Sequence, residues 1–129
     1  MTGRLYAPGE MSDARNILIV EDEPLIAMML EDFLETLGHS IADTCDSVDQ
    51  ALKRVDGGGF DFAILDVNLK GEQVWPVASR LRDGGVPFVV ATGGHVDPPP
   101  GEFRDVPVID KPYTVERISS VIESALASA

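Results

Sequence analysis

From Asn16 onward the chain alternates short apolar runs with segments of helical period, and this restricts the fold more than any other feature. Asn16-Ile17-Leu18-Ile19-Val20 is a continuous, largely β-branched run, the mark of a strand covered on both faces. Pro24 suits a first helical position, with Asp22 or Glu23 placed to cap. Ile26, Leu30, Phe33 and Leu37 then line one face of a helix that Gly38 stops. A second strand is predicted over 40–44. Ser47 with Gln50 makes a capping box ahead of Val48, Ala51, Leu52 and Val55, a helix closed by Gly57, Gly58 and Gly59.

The pattern repeats downstream. A third strand is predicted over 60–65, ending at Asp66, and Pro76 opens a helix carrying Val77, Ala78 and Leu81. A fourth strand over 87–91 ends at Thr92, and a fifth over 106–110 ends at Lys111. Thr114 caps a last helix whose apolar face is Ile118, Val121, Ile122 and Ala125. Such alternation implies a parallel sheet with helices on both faces. One crossover breaks it. Between strands four and five, residues 93–101 hold three consecutive prolines, so the fourth crossover helix is expected to be missing or reduced to a turn near Glu102-Phe103.

In open parallel sheets, ligands bind beyond the carboxyl ends of the strands, at the switch point of strand order. Four strands here end in polar side chains: Glu21-Asp22, Asp66, Thr92 and Lys111. With the common order 2-1-3-4-5, strands one and three are neighbours, and three carboxylates converge. Converging carboxylates raise one another's pKa unless a cation sits among them. A hard cation with oxygen ligands fits, and Mg²⁺ is bound through one or two carboxylates, waters and phosphate oxygens. A nearby lysine and hydroxyl complete a set able to hold a phosphoryl group, and a carboxylate can itself attack phosphorus. Singly, each residue also fits a plain structural role as a cap or turn; the signal is their shared edge.

Composition sets limits around this reading. The 129 residues make about one domain, with a short tail expected over 1–15 and a single domain over 16–129. Ten Lys plus Arg against 22 Asp plus Glu give a net charge of −12, which disfavours nucleic acid and anionic membrane as partners. No apolar stretch approaches the roughly 18 residues of a membrane span, and the N-terminus lacks a secretory apolar segment, so the cytoplasm is the expected compartment. Cys45 stands alone, without a disulfide partner, and is expected to be a small buried thiol.

The constellation resembles the CheY-like receiver domain of two-component response regulators, over about residues 16–127. The motifs are Val20-Glu21-Asp22, Ile64-Leu65-Asp66-Val67-Asn68-Leu69, Ala91-Thr92-Gly93 and Asp110-Lys111-Pro112-Tyr113. The resemblance implies a flavodoxin-like doubly wound fold in which Asp66 is the phospho-acceptor. Glu21 and Asp22 would be the acidic pair around Mg²⁺, Asp22 as direct ligand and Glu21 through water, with Asn68 offering its backbone carbonyl. Thr92 would be the switch hydroxyl and Lys111 the ammonium that pairs with the phosphoryl group, followed by a cis bond to Pro112. A histidine kinase or histidine phosphotransfer protein would be the donor, and an unidentified protein would read the switch. Such a domain catalyses its own phosphorylation and dephosphorylation only and is not otherwise an enzyme. Its length leaves no space for an output domain, so the expected form is a stand-alone receiver.

Two departures stand out. Lys70-Gly71 replaces the family's usual proline after the acceptor, and Val108 replaces the usual aromatic before the lysine. Rival readings are a phosphorylation-independent interaction module and a small Mg²⁺-dependent aspartyl-phosphate phosphatase. The second lacks its usual acid two residues after the nucleophile, where Asn68 stands; a flavin-binding domain lacks its phosphate-cradling loop, where Glu21-Asp22-Glu23 stands. Tyr113 and Trp75 are expected to pack, Ala27-Met28-Met29 to join the core, and His39 and His95 to lie at the surface.

Overall fold

A computed structural model of the chain describes residues 14–93, 99–111 and 113–127. In chain order the elements are β1 (Asn16–Val20), α1 (Pro24–Thr36), β2 (Ser40–Cys45), α2 (Val48–Gly57), β3 (Phe62–Asp66), and the two-residue strands β4 (Asn68–Leu69) and β5 (Glu72–Gln73). There follow α3 (Trp75–Asp83), β6 (Phe88–Thr92), a 3-10 turn at Gly101–Phe103, β7 (Val108–Asp110) and α4 (Val115–Ala127). Five strands form one sheet in the order β2-β1-β3-β6-β7, every neighbouring pair parallel. This is the expected 2-1-3-4-5 order, and its switch point falls between β1 and β3.

Strand residues point alternately to the two faces. Leu18, Val20, Ala63, Leu65 and Val90 face a core completed by Ala51 of α2 and by Val77 and Leu81 of α3. Ile17, Ile19, Phe62, Ile64 and Val89 face a second core with Leu30 and Leu34 of α1 and Ile118 and Ile122 of α4. Burial on both sides is why β1, β3 and β6 read as unbroken apolar runs.

Several local expectations change. The buried stripe of α1 centres on Ala27, Leu30 and Leu34, while Ile26, Phe33 and Leu37 pack at its margin. Met28 faces outward and does not join the core; Met29 packs against it in part. Neither Asp22 nor Glu23 caps α1 with its side chain: Glu23 occupies the cap position, and its N–H donates to Glu21 Oε2 at 3.1 Å. Ser47 caps α2 by accepting the Gln50 N–H at 3.1 Å, but Gln50 Oε1 accepts from Asp46 one residue before the cap. β3 starts at Phe62 because Asp61 is used earlier, its carboxylate accepting the Asn16 N–H at 2.8 Å. β7 starts at Val108 because Val106 still belongs to the preceding turn, its N–H donating to Phe103 O at 3.1 Å.

Arg15 is already tied to the strand edge, donating to His39 Nδ1 and accepting the Ser40 N–H. The rest of the expected tail up to Asp13, together with His95 and Pro112, lies outside the described residues. Among the described residues between β6 and β7 there is no α-helix, only the Gly101–Phe103 turn. Phe103 is buried in the core on the sheet face that α2 and α3 cover. Its ring stacks on Trp75 with centroids 5.3 Å apart, meets Phe88 edge-on at 6.3 Å, and carries the Arg82 guanidinium at 4.8 Å.

Candidate functional site

The sheet ladder itself places the polar groups. Backbone hydrogen bonds continue one residue past the strands, from Glu21 N to Cys45 O at 2.9 Å, Val67 N to Ala91 O at 3.0 Å, and Lys111 N to Thr92 O at 2.8 Å. Glu21, Asp66, Thr92 and Lys111 are thereby fixed along one sheet edge. Glu21, Asp66 and Thr92 are 3%, 6% and 7% exposed, the three buried polar residues among the described residues. One carboxylate oxygen from each of Glu21, Asp22 and Asp66 lies within 4.8 Å of the others.

Lys111 reaches into this cluster. Its Nζ lies 2.8 Å from Glu21 Oε1, 3.1 Å from Asp66 Oδ2 and 4.0 Å from Glu23 Oε1. The ammonium does not neutralise the cluster. Burial pushes Glu21 up from an ordinary 4.5 to about 7, against the pull of Lys111 and with added repulsion from Asp66. Burial likewise raises Asp66, although Lys111 and the Asn68 N–H oppose it. For Lys111, burial acts downward, but its bonds to Glu21 and Asp66 prevail and its pKa is raised. Three convergent hard oxygen donors with residual negative charge suit a divalent cation such as Mg²⁺.

Thr92 is at the site but turned from it. Its hydroxyl donates to Asp110 Oδ1, 3.2 Å away, across the β6–β7 pair. Asn68 opens β4, with its N–H 3.4 Å from Asp66 Oδ1 and its side chain exposed. Tyr113 packs in the core beside α4 as expected, and burial raises its hydroxyl pKa. Cys45 is buried, its thiol pushed up to about 11 by burial.

One participant escaped the sequence reading. The β4–β5 hairpin turns at Lys70 and Gly71, and the Lys70 N–H donates to Asp22 Oδ2 at 2.9 Å. The signal was present: a glycine at the second of two residues between the short runs ending in Leu69 and opening at Glu72 is a hairpin cue.

The sequence profile of the response regulator receiver domain matches residues 17–123. The chain belongs to that family. A solution structure of SdrG from Sphingomonas melonis Fr1 superposes with a TM-score of 0.81 at 53% identity, covering 90% of this chain and 99% of that one. The BeF3-activated conformation of SdrG matches with a TM-score of 0.73 at 54% identity, covering 86% and 94%. Among curated relatives, the phyllosphere-induced regulator PhyR of Methylorubrum extorquens is 35% identical over 118 residues, 88% of this chain and 44% of PhyR. The transcriptional regulatory protein TcrA of Mycobacterium tuberculosis is 42% identical over 76 residues, 59% of this chain and 29% of TcrA. The chain thus spans less than half the length of either regulator. No helix among the described residues is long and apolar enough to cross a membrane.

Proposed function

We propose that this receiver is a switch or phosphate shuttle of two-component signalling, accepting a phosphoryl group on Asp66 from a histidine kinase or histidine phosphotransfer protein in the cytoplasm. The observation that carries this reading is the setting of the Asp66 carboxylate. It is buried at the end of a central strand, paired with Lys111 at 3.1 Å, and within reach of two more acids.

A carboxylate oxygen of Asp66 forms the new bond to phosphorus as the P–N bond of phosphohistidine breaks, and the imidazole leaves with its electron pair. Glu21, Asp22, Asp66 and the Asn68 carbonyl would hold Mg²⁺, which when bound supplies charge neutralisation between the acceptor and the phosphoryl oxygens. Lys111, fixed between Glu21 and Asp66, remains beside the transferred group and offsets its charge. The new oxygens compete with Asp110 for the Thr92 hydroxyl, which rotates to donate to them and so carries the event to the β6–β7 edge. A partner protein reads that change in surface. The chemistry is confined to the protein's own acyl phosphate, which forms and hydrolyses on Asp66.

The test is mass spectrometry after incubation with acetyl phosphate and Mg²⁺. The parent is expected to gain one phosphoryl group, and Asp66→Asn none. A parent that gains no mass from acetyl phosphate or from phosphorylated kinase, or an Asp66→Asn variant labelled as fully as the parent, would overturn the reading.

A further inference from the structure

The turn between β4 and β5 enters the site through its backbone. Its two central residues both have positive φ, +50° at Lys70 and +85° at Gly71, the conformation favoured by a two-residue hairpin. Lys70 is the one non-glycine residue with positive φ among the described residues, so the turn is held there by its surroundings. The flanking Leu69 and Val74 are fully buried, and the Val74 N–H closes the loop on Val67 O at 2.9 Å. This clip aims the Lys70 N–H at Asp22 Oδ2, joining residues 48 apart in sequence. The Lys70 ammonium points elsewhere, to Asp46 Oδ2 at 3.3 Å, in an exposed pair of little energetic weight.

A metal-binding carboxylate keeps its orientation through hydrogen bonds outside the coordination sphere. We propose that the Lys70–Gly71 turn is a positioning element of the acceptor site, its Lys70 amide fixing the Asp22 carboxylate in the orientation that binds a divalent cation. The inference rests on the proposed role of Asp22 as cation ligand. It also gives the departure from the family's proline at position 70 a physical content: proline has no N–H to donate and cannot take positive φ. The hairpin is a different solution to ordering the loop after the acceptor.

The experiment is calorimetric titration of Mg²⁺ into the metal-free protein, which reads binding independently of phosphorylation. Lys70→Pro is expected to weaken Mg²⁺ by about tenfold or more, the usual effect of losing such a supporting bond. Lys70→Asn, which keeps the N–H and tolerates positive φ, restores parental affinity. In an Asp22→Asn background, Lys70→Pro causes no further loss, because the partner it positions is already altered. If Lys70→Pro does not fold, Gly71→Ala replaces it: no atom lies within 4 Å of the added Cβ, so only the strained φ of +85° disturbs the turn. The weakening expected of Gly71→Ala is likewise confined to the Asp22 background. Parental affinity in Lys70→Pro, or in Gly71→Ala where that replaces it, overturns the inference while leaving the proposed function intact; so does an equal loss in the Asp22→Asn background. A parent that binds no Mg²⁺ overturns the cation site itself.

Discussion

Replacing Phe103 by alanine tests whether one side chain stands in for a crossover helix. Phe103 is 1% exposed, in a connection with no α-helix among its described residues, and it contacts Trp75, Phe88 and Arg82. Burying a phenylalanine removes about 150 Å² or more of mostly apolar surface from water. At about 25 cal/mol per Å² that is about 4 kcal/mol, an upper figure because the unfolded chain already hides part of it. Truncation also forfeits the stacking on Trp75 but lets a surface turn collapse inward, so the expected loss is about 3 kcal/mol. Urea unfolding followed by far-UV circular dichroism measures it without relying on Trp75, whose fluorescence the substitution disturbs. With a slope of about 1.5 kcal/mol per M, the midpoint falls by about 2 M at unchanged slope. Phe103→Leu, which keeps apolar volume, loses about half as much or less. A loss below about 1 kcal/mol for Phe103→Ala would refute the reasoning, since it would mean the ring is not what holds the turn against the sheet.

Two further outcomes follow from the charged cluster. Burial raises Glu21 in the fold to about 7, above its ordinary 4.5, so the stability it contributes is full below 4.5 and is lost as pH rises through about 7. The gap corresponds to about 3 kcal/mol, so in metal-free protein Glu21→Gln is more stable than the parent at pH 8 and shows a flatter pH profile in urea unfolding; coincident profiles would count against it. Lys111→Ala retains Mg²⁺ binding, because the oxygen donors remain, but loses the conformational response to phosphorylation, and an unaltered chemical-shift response by NMR would remove Lys111 from the switch.

The strand-end acids were legible because each depends on a short-range pattern, whereas the sheet order, a matter of long-range pairing, came from the commonest five-stranded arrangement, which the structure has. A strand buried on both faces must be a continuous apolar run, so the first polar residue after it marks the sheet edge; Glu21, Asp66 and Thr92 are such residues. Helix faces were legible only in outline. Leu34 lies fully inside and Met28 outside because the axis of α1 is set by what β1 and α4 present, which periodicity does not contain. The Lys70 amide was the least legible. A backbone donor has no residue type, and its partner lies 48 positions away, so only the turn conformation brings the two together. Phe103 fell where the reduced turn was expected, but its partners Trp75 and Phe88 belong to other elements.

The three-residue β7 at the sheet's edge has a kinetic consequence. β1, β3 and β6 are sealed on both faces, whereas β7, among the described residues, pairs only with β6 and leaves Val108 and Asp110 exposed. Segments so lightly held open by themselves, at a fraction of the free energy of global unfolding. In hydrogen exchange, the Ile109 and Lys111 amides would therefore open as a separate unit from those of β1 and β3. Asp66, at the end of β3, would then exchange with the slow unit, and Asp110, partner of the Thr92 hydroxyl, with the fast one. The boundary between the two units would run along the β6–β7 pairing, where the Thr92 hydroxyl bond to Asp110 adds to the backbone bonds from Val90 N to Pro107 O and from Lys111 N to Thr92 O, so capture of that hydroxyl would remove one of the ties that hold the edge strand.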